Sequence, residues 1–160
     1  MSLLFFSACA KLPDNSQRTA TYVIKDGNKT SLGKAFEPLL QQRPGETGVN
    51  LLKNGVDAFV ARAVLASLAE RSIDVQYYMF HQDTIGRLLI RELLAAADRG
   101  VRVRMLIDDM YGEEADDVWS ALDTHPNMEV RLYNPFVRGH SKNLQLVFGV
   151  ERVNHRMHSK

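Results

Sequence analysis

The strongest constraint on the fold is a regular alternation of strand and helix patterns between residues 49 and 135. Residues 72–80, 101–108 and 128–135 are rich in β-branched, aromatic and aliphatic side chains, which favours strands. Segments with apolar residues at helical spacing precede the first strand and separate the others. Strands that alternate with helices are typical of α/β domains with a parallel sheet. We therefore expect an α/β fold with a parallel-rich sheet flanked by helices.

Capping residues mark the ends of the predicted helices. Asn54 stands where an N-cap belongs, ahead of apolar residues at helical spacing. The second helix is expected from about Thr84 to Arg99, and Gly100 occupies the C′ position that ends it. A third is expected from about Glu113 to Leu122, because acidic residues favour a helix N-terminus. Residues 144–150 are a further candidate element.

The beginning of the chain resembles a lipid-attachment signal. An apolar run over residues 3–6 and the small residues Ser7 and Ala8 precede Cys9, an order that suits a bacterial lipoprotein. The apolar run is short and a positive n-region is missing, so a buried or disordered cysteine is the alternative. We interpret residues 1–12 as a signal or anchor with Cys9 as the lipidation site.

The next segment has the composition of a linker. Residues 13–48 contain three prolines and four glycines among many polar residues, with a short helical element predicted over residues 32–40. Residues 49–160 are then the folded unit.

Charge and cysteine content exclude several classes of protein. The single cysteine rules out an intrachain disulfide and the Cys₄ and Cys₂His₂ zinc sites. The net charge of +1 gives no strong nucleic-acid signal. The charge is unevenly distributed, because residues 101–129 carry eight acidic and two basic residues, whereas residues 130–160 carry six basic and one acidic.

Polar residues follow each predicted strand, where binding sites of parallel α/β sheets gather. His81 and Asp83 follow the first strand, Asp108 and Asp109 the second, and Asn134 the third. Each also has a structural interpretation: His81 can hydrogen-bond a turn, and the two aspartates can cap the next element.

The acidic residues that follow the second strand suggest a site for Mg²⁺ or Ca²⁺. Their spacing does not match the EF-hand loop. We expect instead an acidic helix start at the protein surface, with no metal and no other cofactor. The residues are Asp108, Asp109, Glu113, Glu114, Asp116 and Asp117.

His158 and Lys160 form a pair suited to phosphodiester chemistry. On a strand, residues two apart point to the same face of the sheet. A neutral imidazole can attack phosphorus, and a neighbouring ammonium can stabilise charge on the phosphoryl oxygens. His140 and Lys142 form a second pair of this kind.

The chain resembles the phospholipase D superfamily, and within it the bacterial C-type cardiolipin synthases and related phospholipase D-like lipoproteins. The resemblance rests on residues 48–110, on HPNMEVRLYNPF at residues 125–136 and on NHRMHSK at residues 154–160. The segment CAKLP, from Cys9, also looks like the lipoprotein members. The family motif is His-x-Lys followed after four residues by Asp. His158 and Lys160 match its first two positions, whereas no Asp follows the His140 pair at that spacing.

The resemblance implies the following architecture. Enzymes of this family carry one such motif in each of two similar lobes, and the two motifs meet at a shared site. The chain then supplies an incomplete first lobe, an N-terminal fragment that lacks the second lobe and is inactive alone.

The resemblance also implies a mechanism for the intact enzyme. One motif histidine attacks the phosphodiester of a phospholipid, and the other protonates the leaving alcohol and then activates the acceptor. A phosphatidylglycerol acceptor gives cardiolipin, water gives phosphatidic acid, and most of the family needs no metal. His81 and Asp83 match positions common in the subfamily and are candidates for lining the site. The expected partners are a phospholipid substrate and a membrane surface, in the bacterial cell envelope.

Two other functions stay open at this point. One is a phosphodiesterase of the same superfamily that acts on nucleic acid, although the near-neutral charge argues against it. The other is a non-catalytic, membrane-tethered module that only binds a partner.

Overall fold

The computed structural model describes residues 14, 16–17, 19–111, 115–139 and 141–148. The expectations for Cys9, His158 and Lys160 therefore lie outside the described residues, as do those for Glu113 and Glu114. The helices are α1 (Ser31–Gln42), α2 (Gly55–Leu68), α3 (Thr84–Asp98), α4 (Asp116–Asp123) and α5 (Lys142–Phe148), and the strands are β1 (Ser72–Tyr77), β2 (Arg102–Asp108) and β3 (Met128–Tyr133).

The three strands form one parallel sheet in the order β1-β2-β3. Ser72 lies opposite Arg102, and Val103 lies opposite Met128, so the strands advance in step across the sheet. The predicted α/β fold with a parallel sheet flanked by helices is confirmed.

The core lies on one face of this sheet. Val103, Met105 and Ile107, which alternate along the central strand, are almost completely buried. Leu93 of α3 and Trp119 of α4 belong to the same buried cluster. Two βαβ crossovers thus place both helices over one face, which fixes the carboxyl ends of all three strands at a common edge.

The opposite face of the sheet is polar and partly open. Asp74, Arg104 and Glu129 stand side by side across the three strands in register. The expectation that residues 72–80 form a buried strand is therefore wrong in two respects. β1 ends at Tyr77, and its alternate residues are exposed because it is an edge strand covered on one face.

The Asp74–Arg104 ion pair on this face is expected to make stability depend weakly on pH. Arg104 donates two hydrogen bonds of 2.7 Å to the carboxylate, and these hold the pKa of Asp74 below its usual value. A lowered folded pKa stabilises the protein above the unfolded pKa and loses that contribution as the pH falls through the folded value. Because the Asp74 side chain is 47% exposed, its contribution is less than about 1 kcal/mol. Urea denaturation of Asp74→Asn should show that difference at pH 7 and lose it below roughly pH 4.

The predicted helix ends agree with the structure. The Asn54 side chain accepts a 2.9 Å hydrogen bond from the Asp57 amide, and Gly100 adopts φ +90° after α3. The candidate element at residues 144–150 is the helix α5. The third helix begins at Asp116, and residues 112–114 lie outside the described residues.

The segment predicted as a linker contains a longer helix than expected. α1 has 12 residues and includes Pro38, and its N-cap is Thr30, whose hydroxyl accepts a 3.0 Å bond from the Gly33 amide. The Ser31 amide donates a 2.8 Å bond to Glu70, and Leu32 lines a groove together with Leu65 of α2. These contacts place the start of α1 beside the end of α2. In the described part of the chain, no helix has the length and apolar character that crossing a membrane requires.

Candidate active site at the carboxyl edge of the sheet

The turn between β1 and α3 carries two of the predicted site residues. His81 is exposed on this turn, where β1 leads to the carboxyl edge of the sheet. The Asp83 carboxylate accepts a 2.8 Å hydrogen bond from the Gly86 amide and so caps α3. Capping accounts for Asp83 structurally, and a role for either side chain in lining a site stays a prediction.

Gly86 fixes the backbone of this turn by close packing. A Cβ at this position would lie 1.9 Å from the carbonyl oxygen of His81 and 3.2 Å from Cε1 of Phe80. The Phe80 ring in turn makes edge contacts with Tyr77 and Trp119, at centroid distances of 5.3 and 5.2 Å. The first turn of α3 therefore packs directly on the His81 peptide, and only glycine fits there.

Gly86→Ala is expected to destabilise the protein by about 2–3 kcal/mol, because the new methyl group overlaps a backbone carbonyl that cannot rotate away. Gly55→Ala is the matched control. Gly55 also lies in the first turn of a helix and has no atom within 4 Å of an added Cβ, so alanine there should be neutral or stabilising by up to about 1 kcal/mol. Urea denaturation of both variants measures the difference, and equal free energies of unfolding would contradict the contact.

The two aspartates that follow β2 are buried. The Asp108 carboxylate accepts a 2.8 Å bond from the Met110 amide, which confirms the capping interpretation for this residue. The Asp109 side chain is completely buried. The expectation of an acidic helix start at the surface is thus wrong for both residues. The reason is a cation that the chain supplies from another segment.

Arg138, from the loop after β3, binds the carboxylates of Asp109 and Asp116. It donates bonds of 2.6 and 2.9 Å to Asp109, and bonds of 2.5 and 2.6 Å to Asp116. The Phe136 amide adds a 2.7 Å bond to Asp109. We call Asp109, Asp116 and Arg138 the carboxylate clamp. The hydrogen bond to Asp109, followed by that to Asp116, raises the pKa of Arg138 further above its usual range, so the guanidinium stays charged.

The clamp and α5 together anchor the loop at residues 134–141 on the carboxyl edge. The Gln145 side chain binds the backbone N–H and C=O of Val137, both at 2.9 Å. Lys142 donates a 3.1 Å bond to the Asp109 carbonyl and lies 5.4 Å from the centre of the Phe136 ring. The described part of α5 ends at Phe148, ten residues before His158.

The clamp also bears on the metal hypothesis. Asp109 and Asp116 are engaged by Arg138, and Asp108 caps a turn. Within residues 14–148, as far as they are described, no three His, Cys, Asp or Glu side chains stand close enough to hold a metal ion.

Comparison with known proteins identifies the family. Residues 64–160 match the family described as "Cardiolipin synthase, PLD-like domain". The chain belongs to this cardiolipin synthase family of PLD-like domains. Its match includes the carboxyl edge, α5 and the segment with His158 and Lys160.

Individual relatives agree with this family. The chain is 48% identical over 129 residues to cardiolipin synthase C of Escherichia coli, covering 81% of this chain and 27% of that protein. It is 32% identical over 164 residues to an uncharacterized protein of Helicobacter pylori, covering all of this chain and 32% of that protein. Probable cardiolipin synthase YwiE of Bacillus subtilis is 31% identical over 97 residues, 61% of this chain and 17% of YwiE. The chain therefore spans between about a sixth and a third of the length of these relatives.

Sequence reasoning did not identify Gly86 or Arg138 as structurally important residues of this edge. A glycine inside a helical pattern signals close packing, and Gly86 carried that signal. For Arg138 the only signal was the charge contrast between the acidic segment 101–129 and the basic segment 130–160.

Proposed function

We propose that the chain supplies one half of a phosphodiester-transfer site of the cardiolipin synthase type, with His158 and Lys160 as its catalytic residues. The observation that carries this proposal is the family match, which extends to residue 160 and includes both side chains. The 48% identity to a cardiolipin synthase of Escherichia coli supports phospholipid as the substrate class.

The proposed chemistry is a double displacement at phosphorus. An imidazole nitrogen forms a bond to phosphorus while the bond from phosphorus to the leaving oxygen breaks, and a second histidine supplies the proton to that oxygen. Lys160 stabilises the negative charge that develops on the phosphoryl oxygens. An acceptor alcohol then breaks the phosphohistidine bond and gives up its proton to the second histidine. Phosphatidylglycerol as both donor and acceptor yields cardiolipin and glycerol, and water as acceptor yields phosphatidic acid.

The second histidine of this scheme comes from the second lobe, as in the two-motif enzymes that the chain resembles. Either of the two motif histidines serves as the nucleophile in this proposal. His81 and Asp83 are proposed to line the site, Cys9 to carry a lipid anchor, and the protein to act at the membrane of the bacterial cell envelope.

The electrostatics of the described edge support phosphate binding. The acidic segment after β2 would repel a phosphate if its carboxylates were free. Asp109 and Asp116 instead contact Arg138, and Lys142 binds the Asp109 backbone, so these four groups have no net charge. The basic residues of the segment 149–160 then set the local charge of the proposed site.

A chimera tests this proposal. Residues 49–160 replace the matching segment of Escherichia coli cardiolipin synthase C, and cardiolipin formation from phosphatidylglycerol is measured in detergent micelles. We expect the chimera to retain at least about a tenth of the parental rate, since conserved chemistry tolerates changes in the supporting fold. A folded chimera with no turnover would refute the assignment.

A further inference from the structure

Exposed apolar side chains are concentrated in one part of the molecule. Among the described residues, sixteen large apolar side chains are exposed, and eleven of them lie between Phe36 and Leu68. Scattered exposed apolar residues are normal, whereas a contiguous group marks an interaction surface.

The helices α1 and α2 carry this group. On α1 it recurs at helical spacing, and on α2 it recurs every fourth residue. The contacts of Ser31 with Glu70 and of Leu32 beside Leu65 bring the two helices together. We define the docking surface as Phe36, Leu39, Leu40, Val56, Val60 and Val64, which are between 47% and 71% exposed.

α2 is apolar on both its inner and its outer side. Ala66 and Phe59 pack on the core, while Val60 and Val64 are about half exposed on the remaining surface. A helix that is apolar around most of its circumference is typical of an element that is covered on all sides. The described fold covers α2 on one side only.

The charges around the docking surface favour an anionic partner. The acidic groups are already engaged: Glu46 pairs with Arg43, and Glu70 accepts a bond from the Ser31 amide. The side chains of Glu37 and Asp57 likewise accept bonds from neighbouring side chains, those of Gln41 and Asn54. Three cations form no ion pair with any described residue: Lys34, Lys53 and Arg62.

We propose that the docking surface binds an anionic phospholipid bilayer, with α1 and α2 lying in the plane of the interface. This inference rests on the proposed function, in which the substrate resides in the bilayer and the protein must approach it. Amphipathic helices with basic residues bind such interfaces by burying apolar side chains among the headgroups while cations contact the lipid phosphates.

The test is vesicle co-sedimentation of the full 160-residue chain carrying Cys9→Ser, so that no acyl chain contributes. Vesicles contain equal amounts of phosphatidylglycerol and phosphatidylcholine, or phosphatidylcholine alone. We expect binding to the anionic vesicles, weaker binding to the neutral ones and a decrease in binding with added salt. Val60→Gln with Val64→Gln should weaken binding by about tenfold, because both side chains leave the interface.

Ile85→Gln is the matched control, since Ile85 lies on α3 and is 51% exposed, as Val60 is 50% exposed. It should bind within about twofold of the parent. Circular dichroism confirms that each variant is folded; glutamine is a good helix former, and these positions are outside the core.

Two results would overturn the proposal. One is equal vesicle binding by the valine variant and the parent. The other is a dimer in sedimentation equilibrium that the valine variant abolishes, since the surface would then join two copies of the chain. The micelle assay of the chimera needs no bilayer, so a failure of the proposed chemistry is distinguishable from a failure of docking.

Discussion

His158→Ala in the chimera is expected to lower the rate of cardiolipin formation by about 10³-fold or more. Loss of a histidine that forms the covalent intermediate, or that moves the proton to the leaving oxygen, removes an interaction made in the transition state. The same steady-state assay in micelles measures it. Lys160→Gln should cost about 10²-fold, because it removes charge stabilisation and leaves the nucleophile in place.

His140→Ala is the matched control for this prediction. His140 is followed by Ser141 and Lys142, as His158 is followed by Ser159 and Lys160, yet the family motif predicts a role only for the later pair. The rate of His140→Ala should stay within about twofold of the chimera. Equal losses in the two histidine variants would show that the motif does not define the site.

Arg138→Leu is expected to destabilise the chain by about 3–5 kcal/mol, the largest stability effect that we predict. Asp109 is completely buried, and Arg138 is the cation that compensates its charge. Removing one partner of a buried pair leaves an uncompensated charge, which costs more than the pair itself contributes. Urea denaturation at pH 7, followed by circular dichroism, gives the free energy of unfolding of the variant and the parent.

Two further variants separate charge from packing at the clamp. Asp116→Asn should cost less than about 1 kcal/mol, since the Asp116 side chain is 37% exposed and water can replace its partner. Asp109→Asn combined with Arg138→Gln should recover part of the loss, because no buried charge then lacks a partner. A loss below about 1 kcal/mol for Arg138→Leu itself would contradict a stabilising clamp.

Local patterns were sufficient to predict most of the fold. Alternating side chains along residues 102–108 predicted the central strand, since their period reflects burial on one face of the sheet. Asn54 and Gly100 predicted helix ends because capping depends on a few neighbouring residues. The order of strands and helices was then enough to predict a parallel sheet.

The features that sequence reasoning missed depend on distant contacts. Asp108 and Asp109 looked like surface residues because acidic side chains are rarely buried without a partner. The partner of Asp109 is Arg138, 29 residues away, and no local pattern predicts that pairing. The exposure of one face of β1 also follows from its place at the edge of the sheet, which its apolar sequence does not reveal.

The candidate site was predictable to the same extent. Its position at the carboxyl edge followed from the general geometry of parallel sheets, and His81 lies on the turn where that rule expects it. His158 and Lys160 were identified through the family motif, because a His-x-Lys pair alone occurs twice in this chain.

The most direct test of the central claim mixes this 160-residue chain with the separately expressed remainder of Escherichia coli cardiolipin synthase C. The measurement is turnover of phosphatidylglycerol in micelles by each part alone and by the mixture. If the chain supplies one half of the site, the mixture forms cardiolipin and neither part does so alone. An inert mixture, in which gel filtration shows the two folded parts bound to each other, would contradict the claim.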